Sequence, residues 1–394
     1  MTVQISATLG SLAKYINGRA FKPAEWGRSG LPIVRIANLN SPSAPYDYFS
    51  GPLAQGHLIN TGDIVVSWSA TLDAYIWDRG PAALNQHSFK VIPHTAEVDK
   101  DYLFFVLKHA MLGLIGLVHG ATMKHVTRPE FEGYEVTIVT ELKDQRRIAA
   151  GLKAKIATFE DAHNAVVVQI SDVRRLIQAI LDEAFAETAD AEFVKVGEVT
   201  RTTSGSTPSR GRKDYWDPPK HPWVKTGEVA FKPISKTEEL ISDRALAECS
   251  LSLLPPGTVL IAMYGQGKTR GQSAVLEVTA TTNQACFAIL PNDQLDPEYL
   301  QFWLRHSYQA LRAQSEARGG NQSNLNGAML NNFEVPLLPL PRQQAIAKRI
   351  KVALAEAEIL QALLSKQLND IEQMEPRLLA ETFNKLDHQA AQHG

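Results

Sequence analysis

Two stretches of this chain place apolar or small residues four and three positions apart over roughly five heptads. The first runs Ile148, Leu152, Ile156, Phe159, Ala162, Val166, Ile170 and Val173; the second runs Ile346, Ile350, Leu354, Ala357, Leu360, Leu364, Leu368 and Ile371. Such steps hold one helix face in a constant direction, as a coiled-coil seam does. Each residue of the second stretch lies 198 positions after its counterpart, from 148 and 346 to 173 and 371. The same separation continues through ILDEAF (180–185) and LLAETF (378–383). The pattern predicts two long helices, each with one apolar seam and each the natural partner of the other. Pro376 falls inside the second pattern where Gln178 stands in the first, which predicts a kink or a restart there.

The repetition reaches beyond the helices. NQHSFKVIP (85–93) matches NQACFAILP (283–291), DYLFFVLKHAM (101–111) matches EYLQFWLRHSY (298–308), and the turn-then-strand run TGDIVVSWSAT (61–71) matches PGTVLIAMYGQ (256–266). YEVTIVTELKDQRRI (134–148) matches FEVPLLPLPRQQAI (333–346) with one residue of slippage. In the latter, Pro336, Pro339 and Pro341 exclude a helix or a central strand, so the run reads as an extended connector with Pro341 in the first helical turn. The order is globular half, long helix, globular half, long helix, divided as residues 1–140, 141–189, 190–340 and 341–394. The expected fold class is α+β with an internal two-fold repeat and an antiparallel coiled coil. Roughly forty helical residues span about 60 Å. Antiparallel pairing would give the symmetry of a split, pseudo-palindromic DNA site with half-sites one helical turn (~34 Å) or more apart.

Composition adds bounds rather than a function. A length of 394 residues allows two or three domains, and 44% hydrophobic with 21% charged residues is ordinary for a globular protein. The net charge of −2 argues against an independent nonspecific DNA binder, so any basic footprint is local or supplied by a partner. Cys249 and Cys286 form no metal or disulfide framework, which fits a reducing cytosol and a cytoplasmic protein. The N-terminal stretch lacks the pattern of a signal peptide. The apolar run at 102–121 is broken by Lys108 and His109, leaving stretches too short for a membrane span and suited to a buried amphipathic helix.

The two-repeat plan resembles the specificity subunit of type I restriction–modification systems. TTSGSTPSRGRKDYW (202–216), HPWVKTGEV (221–229), TTNQACFAILP (281–291), NFEVPLLPLPRQQAIAKRI (332–350) and RLLAETF (377–383) carry the resemblance, which covers nearly the whole chain. The first repeat departs from it, with GRAFKPAEWGRSGLPIVRIANLN (18–40) in place of the Gly-Ser-Thr-Pro stretch, so the halves are expected to read different sequences. The resemblance implies that residues 1–140 and 190–340 are target recognition domains for a bipartite double-stranded DNA sequence. The helices would serve as spacer and as docking platform for two methyltransferase (modification) subunits, with restriction subunits as further partners. S-adenosylmethionine, ATP and Mg are then expected on the partners, with no cofactor and no catalysis in this chain. Two alternatives stand beside this one: the specificity subunit of another bipartite restriction–modification system, and a helical adaptor that binds protein without DNA readout.

No catalytic or metal site is expected. DPPK (217–220) is similar to the Asp/Asn-Pro-Pro-aromatic element of amino-methyltransferases, but Lys220 replaces the aromatic, and a proline turn accounts for it. GQGKT (265–269) lacks the first glycine of a phosphate loop, since Ala262 stands there. The eleven histidines show no metal-ligand spacing.

DNA contacts are instead expected on loops. Arg201, Ser206, Thr207 and Arg210 sit in a stretch with a local cationic excess and hydroxyls suited to phosphate. A glycine-permitted hairpin tip would expose Gln266, Lys268, Thr269 and Arg270, and a Gly/Asn-rich loop carries Asn321, Gln322 and Asn324 for base edges. The first-half candidates are Lys124, His125 and Arg128, with Ser69 at the strand end that matches the hairpin; the neighbouring Trp68 reads as core. The pairs Asn85/Gln86 and Asn283/Gln284, present in both halves, read as scaffold rather than as sequence readers.

Overall fold

Three strand pairings recur in the two halves with the same topology. Gln4–Thr8 pairs antiparallel with Glu135–Val139 in the first half, and Glu192–Lys195 with Glu334–Leu337 in the second. A four-stranded sheet follows in each. Its order is Ala13–Asn17, Ser88–Pro93, Ile64–Ser69, Thr71–Ile76 in one half and Thr202–Ser204, Cys286–Ile289, Val259–Ala262, Ser273–Val275 in the other. A smaller sheet contains a parallel pair, Leu31–Val34 with Ala82–Leu84 and His221–Val224 with Thr281–Thr282. The first half adds Leu58–Ile59 to this sheet. The duplication read from the helices is therefore a duplication of the whole α+β fold. This computed structural model describes residues 3–69, 71–118, 126–265, 267–316 and 324–391.

The proline-rich run is more regular than expected. Glu334–Leu337 is a strand rather than a bare connector, with Pro336 opposite Phe193. Proline is tolerated there because a two-stranded sheet has only edge strands. Its carbonyl accepts from the Tyr299 hydroxyl at 2.9 Å.

Three helices carry the seam: a central helix (Leu142–Ala186), a distal helix (Leu340–Glu372) and a last helix (Met374–Ala391). The central helix is unbroken over 45 residues, whereas its repeat restarts after Gln373, two residues before Pro376 removes a backbone donor. The chain divides into two compact units, Met1–Val167 with Lys366–Gly394, and Val168–Ser365. In the first, Leu152 shares a core with Leu379 and Phe383, while His163 lies 3.8 Å from Glu372, so the segments run antiparallel. In the second, Arg349 donates to the Ala184 carbonyl at 3.3 Å and pairs with Glu187. Arg174 lines a cavity with Gln361 in the same unit, which gives the same antiparallel sense.

Leu152, Val166, Ile170, Val173, Ile346, Ile350, Leu354, Leu364 and Ile371 are buried, and Ile148, Ile156, Phe159 and Leu368 half-buried. Leu360 is the exception, at 45% exposure. The distal seam steps four rather than three residues from Ala357, so the half-buried Gln361 takes the inward place. Its repeat partner on the central helix is the half-buried His163.

Each globular half grips a helix end through an aromatic cluster. Phe383 packs against Tyr102 and His109 (ring centroids 5.9 and 5.2 Å), and Phe185 against Tyr299, Trp303 and His306 (5.6, 5.0 and 5.3 Å). Burying a phenylalanine contributes about 1.5–3 kcal/mol to each joint. Fully buried Gln145 and Gln343 hold the other end of the joint, in the first turns of the central and distal helices.

Candidate nucleic-acid interface

Two backbone crossings carry the loops that leave the sheets. At Gly18 a Cβ would lie 2.1 Å from the Asn85 carbonyl oxygen, and at Gly205 it would lie 1.8 Å from that of Thr282. Only glycine allows this approach. Just beyond, the Asn85 N–H donates to the Val34 carbonyl at 3.0 Å and the Asn283 N–H to that of Val224 at 3.1 Å. The Asn283 side chain also accepts from the Thr226 hydroxyl at 2.9 Å.

The loop after Gly205 presents Arg210 over Trp216, 3.9 Å from the ring centroid, with Trp223 at 5.3 Å. Glu239 accepts from both ends of its guanidinium, one contact being 3.2 Å. Around it lies a mesh of ion pairs: Arg212 with Asp214 and Glu248, Lys225 with Glu238 and Glu239, and Arg244 with Asp214 and Glu248. The hydrogen bond from Arg212 holds the Asp214 carboxyl down at about 2. Arg210 and then Lys225 lower Glu239. Two cations of the expected excess, Arg210 and Arg212, are thus neutralised in the free chain, by the neighbouring Asp214 and by Glu239 and Glu248 farther along the sequence. Such exposed pairs are screened by water and contribute little, so a phosphate can replace the carboxylate at little cost.

The other expected contacts are placed variously. Arg201 is exposed, Ser206 is half-buried with its N–H bonded to the Thr282 carbonyl, and the exposed Thr207 donates to the Gln284 side chain. Lys268 is exposed, but Arg270 is only 8% exposed and paired with Glu316. Its burial corrects the expectation of an exposed hairpin residue. The helix Tyr308–Glu316 braces this arm of the loop with one face. Tyr308 donates to the Lys268 carbonyl (2.6 Å), Arg312 to the Arg270 carbonyl (3.0 Å), and Glu316 holds the Arg270 side chain.

Asn324 is half-buried, and the next residue's N–H is tied to the Met263 carbonyl at 3.1 Å. Ser69 is buried opposite Thr71 of the neighbouring strand, which corrects its expected presentation, and Trp68 stacks on Phe89 at 5.9 Å. Arg128 opens a short helix, pairing with Glu132 at 2.8 Å and donating to the Tyr15 carbonyl at 3.0 Å. Lys124, His125, Gln266, Asn321 and Gln322 lie outside the described residues.

Sequence reasoning missed three arginines of the first half. Arg19 lies 4.9 and 4.6 Å from the Phe21 and Phe49 rings and pairs with Glu25. Arg35 lies 4.7 Å from Trp26 and pairs with Asp47, and Arg79 lies 4.3 Å from Trp77. For Arg19 the signal was the interleaving of arginine with aromatics in GRAFKPAEW (18–26), whereas Arg35 and Arg79 lie outside that stretch.

Among the described residues no group of three His, Cys, Asp or Glu side chains could hold a metal ion, and no helix is long and apolar enough to cross a membrane. Residues 5–169 and 189–370 match the family model described as the type I restriction modification DNA specificity domain. The MjaIX specificity subunit of Methanocaldococcus jannaschii, a type I restriction enzyme component, is 30% identical over 161 residues. That alignment covers 40% of this chain and 36% of that protein, so the chain spans little more than a third of this relative. The EcoBI specificity subunit of Escherichia coli is 21% identical over 410 residues, 95% of this chain and 84% of its own. A chain from a solved structure described by the complex assembly and conformational transition of the type I R-M system superposes with a TM-score of 0.67. The superposition covers 96% of this chain and 97% of that one at 17% identity, a likeness of fold.

Proposed function

Because this chain belongs to the type I restriction modification DNA specificity family, we propose that it is the DNA-addressing subunit of a type I restriction–modification complex. It reads a bipartite duplex target, one part with each globular half. The observation that carries this reading is a constant scaffold under two different sets of reading side chains. The same three strand pairings stand beneath Arg19 with Phe21 and Phe49 in one half, and beneath Arg210 with Trp216 and Trp223 in the other. Recognition of two unlike base sequences asks for this combination. Arg201, Ser206, Thr207, Arg210 and Lys268 are second-half contacts in this reading, and Arg19 and Arg128 first-half ones.

The chain itself performs no catalysis in this reading. S-adenosylmethionine, ATP and Mg belong to the partners. Two methyltransferase subunits dock on the helices, where Val352, Ile359, Leu360 and Leu363 form an exposed apolar stripe on the distal helix. Restriction subunits join the same assembly.

The test is co-expression with the candidate methyltransferase, followed by mapping of methylated adenines on genomic DNA. A split motif that disappears when this chain is omitted is the expected result. Methylation that is unchanged by the omission would sink the reading.

A further inference from the structure

A cavity of about 470 Å³ opens in the second unit where several elements meet. The central helix contributes Arg174 and Gln178, the distal helix Gln361, the loop after His221–Val224 contributes Phe231 and Lys232, and the braced loop Lys268. The cavity gathers unpaired positive charge. Arg174, Lys232 and Lys268 are exposed, and among the described residues none of them has an ion-pair partner. By contrast Arg210, Arg212, Lys220, Lys225 and Arg244 are each matched to a carboxylate. The carboxylate that does line the cavity, Glu358, is already taken by Arg305. Three uncompensated cations around one concavity focus a positive potential there, and the lining amides of Gln272, Gln309 and Gln361 add neutral donors beside it.

The backbone points to the same place. Among the described residues Phe231 is the one non-glycine residue at positive φ, +57°. Its N–H is held by the Ser273 carbonyl at 2.9 Å, and its ring lies 5.3 Å from that of Tyr308 and 5.3 Å from the Arg305 guanidinium. A left-handed conformation at a bulky residue persists only where its surroundings over-determine it, and such residues gather at ligand sites. The strained residue directly precedes Lys232, which it sets on the cavity wall.

We propose that this cavity binds the phosphate groups of nucleotides and grips the DNA backbone beside the sequence-reading loops. The inference rests on the DNA-addressing reading for the source of the phosphate. Free nucleotide carries the same chemistry, and the experiment separates the two. Backbone contacts position a protein on the duplex without reading bases, so their removal has a distinctive signature.

The experiment uses the full chain co-purified with its methyltransferase subunit. Wild type, Lys232→Ala, Arg174→Ala and the charge-retaining Lys232→Arg are titrated with a duplex carrying the mapped split site and with an unrelated duplex, over a series of salt concentrations. Each alanine variant is expected to lose affinity by the same factor on both duplexes. The slope of log affinity against log salt should fall by about one per cation removed, and Lys232→Arg should restore it. In a second arm, ATP and inorganic phosphate are titrated onto the DNA-free protein. Binding there that Lys232→Ala abolishes, with DNA slopes unchanged, assigns the site to free nucleotide. Unchanged binding in both arms overturns the proposal, as does a loss confined to the matched duplex. The wild-type protein reports separately on the parent reading: failure to prefer the matched duplex sinks the DNA-addressing function, whereas silent variants beside a discriminating wild type sink only the cavity.

Discussion

Gln145 and Gln343 stand 198 positions apart, are both fully buried, and make the same three hydrogen bonds. The Gln145 Oε1 accepts from the Asp99 N–H (2.6 Å), and its Nε2 donates to the carbonyls of Glu97 (3.0 Å) and Val139 (2.9 Å). The Gln343 Oε1 accepts from the Asp296 N–H (2.9 Å), and its Nε2 donates to the carbonyls of Gln294 and Leu338, both at 2.7 Å. Asp99 and Asp296 in turn cap the next helix, accepting from the Tyr102 N–H (3.2 Å) and the Tyr299 N–H (2.9 Å). One side chain therefore ties a strand exit, a helix cap and the first turn of a long helix. Proline stiffens only one of the two joints, but glutamine stiffens both.

Replacing either glutamine by leucine strands one buried donor and two buried acceptors. An unsatisfied buried group costs roughly 1–3 kcal/mol, so Gln145→Leu and Gln343→Leu should each lose on the order of 3 kcal/mol or more. Because the geometry is the same, the two losses should be similar. Denaturant unfolding measures both, and a loss below ~1 kcal/mol at either site would show that water replaces the clamp.

Phe383 and Phe185 give a prediction with a spatial readout. Truncation of a buried phenylalanine to alanine costs about 3–5 kcal/mol. Phe383→Ala should loosen the last helix from Tyr102 and His109, opening new protease cuts within Met374–Ala391. Phe185→Ala should do the same near the end of Leu142–Ala186 and leave the last helix protected. Identical digestion patterns for the two variants would contradict the two separate joints.

Asp214 supplies a pH dependence. Its carboxyl is held at about 2 by the hydrogen bond from Arg212, below the ordinary carboxylate value. A lowered folded pKa means that the unfolded chain binds the proton first. The stabilisation is therefore complete above the unfolded value and is lost as pH falls through about 2. Asp214→Asn should flatten the fall in stability of the wild type between about pH 4 and 2. An equally steep fall in the variant would remove the Arg212 pairing from the account.

Arg210 tests the reading itself. Lysine keeps the charge but loses the guanidinium placed over Trp216 and the two-pronged contact with Glu239. Arg210→Lys should therefore lower methylation at the split motif at least tenfold, a loss of about 1.4 kcal/mol in recognition. Exchange of residues 193–335 with those of a relative should rewrite only one part of that motif. A change in both parts would mean that the halves do not read separately.

The seam and the duplicated halves were legible because apolar spacing repeats at one fixed separation over both helices. Leu360 was misread for a physical reason. From Ala357 both a three- and a four-residue step are helical, hydrophobicity favours Leu360, and packing takes the polar Gln361. Arg270 was misread because its partner Glu316 is 46 residues away, a distance no local spacing discloses. Gln145 and Gln343 escaped notice because amphipathic patterns assign glutamine to solvent, although their shared separation of 198 was already in the chain.

The glycine crossings have a consequence for exchange between related chains. Gly18 lies against the Asn85 carbonyl and Gly205 against that of Thr282, so each crossing closes a loop that begins and ends at one spot. A graft that carries residues 18–85 or 205–283 as one piece brings its own crossing with it. A graft cut inside either span must mate two foreign backbones at a contact with no room for a methyl group. The two spans are thus natural cassettes, exchangeable between related chains only when each is moved whole.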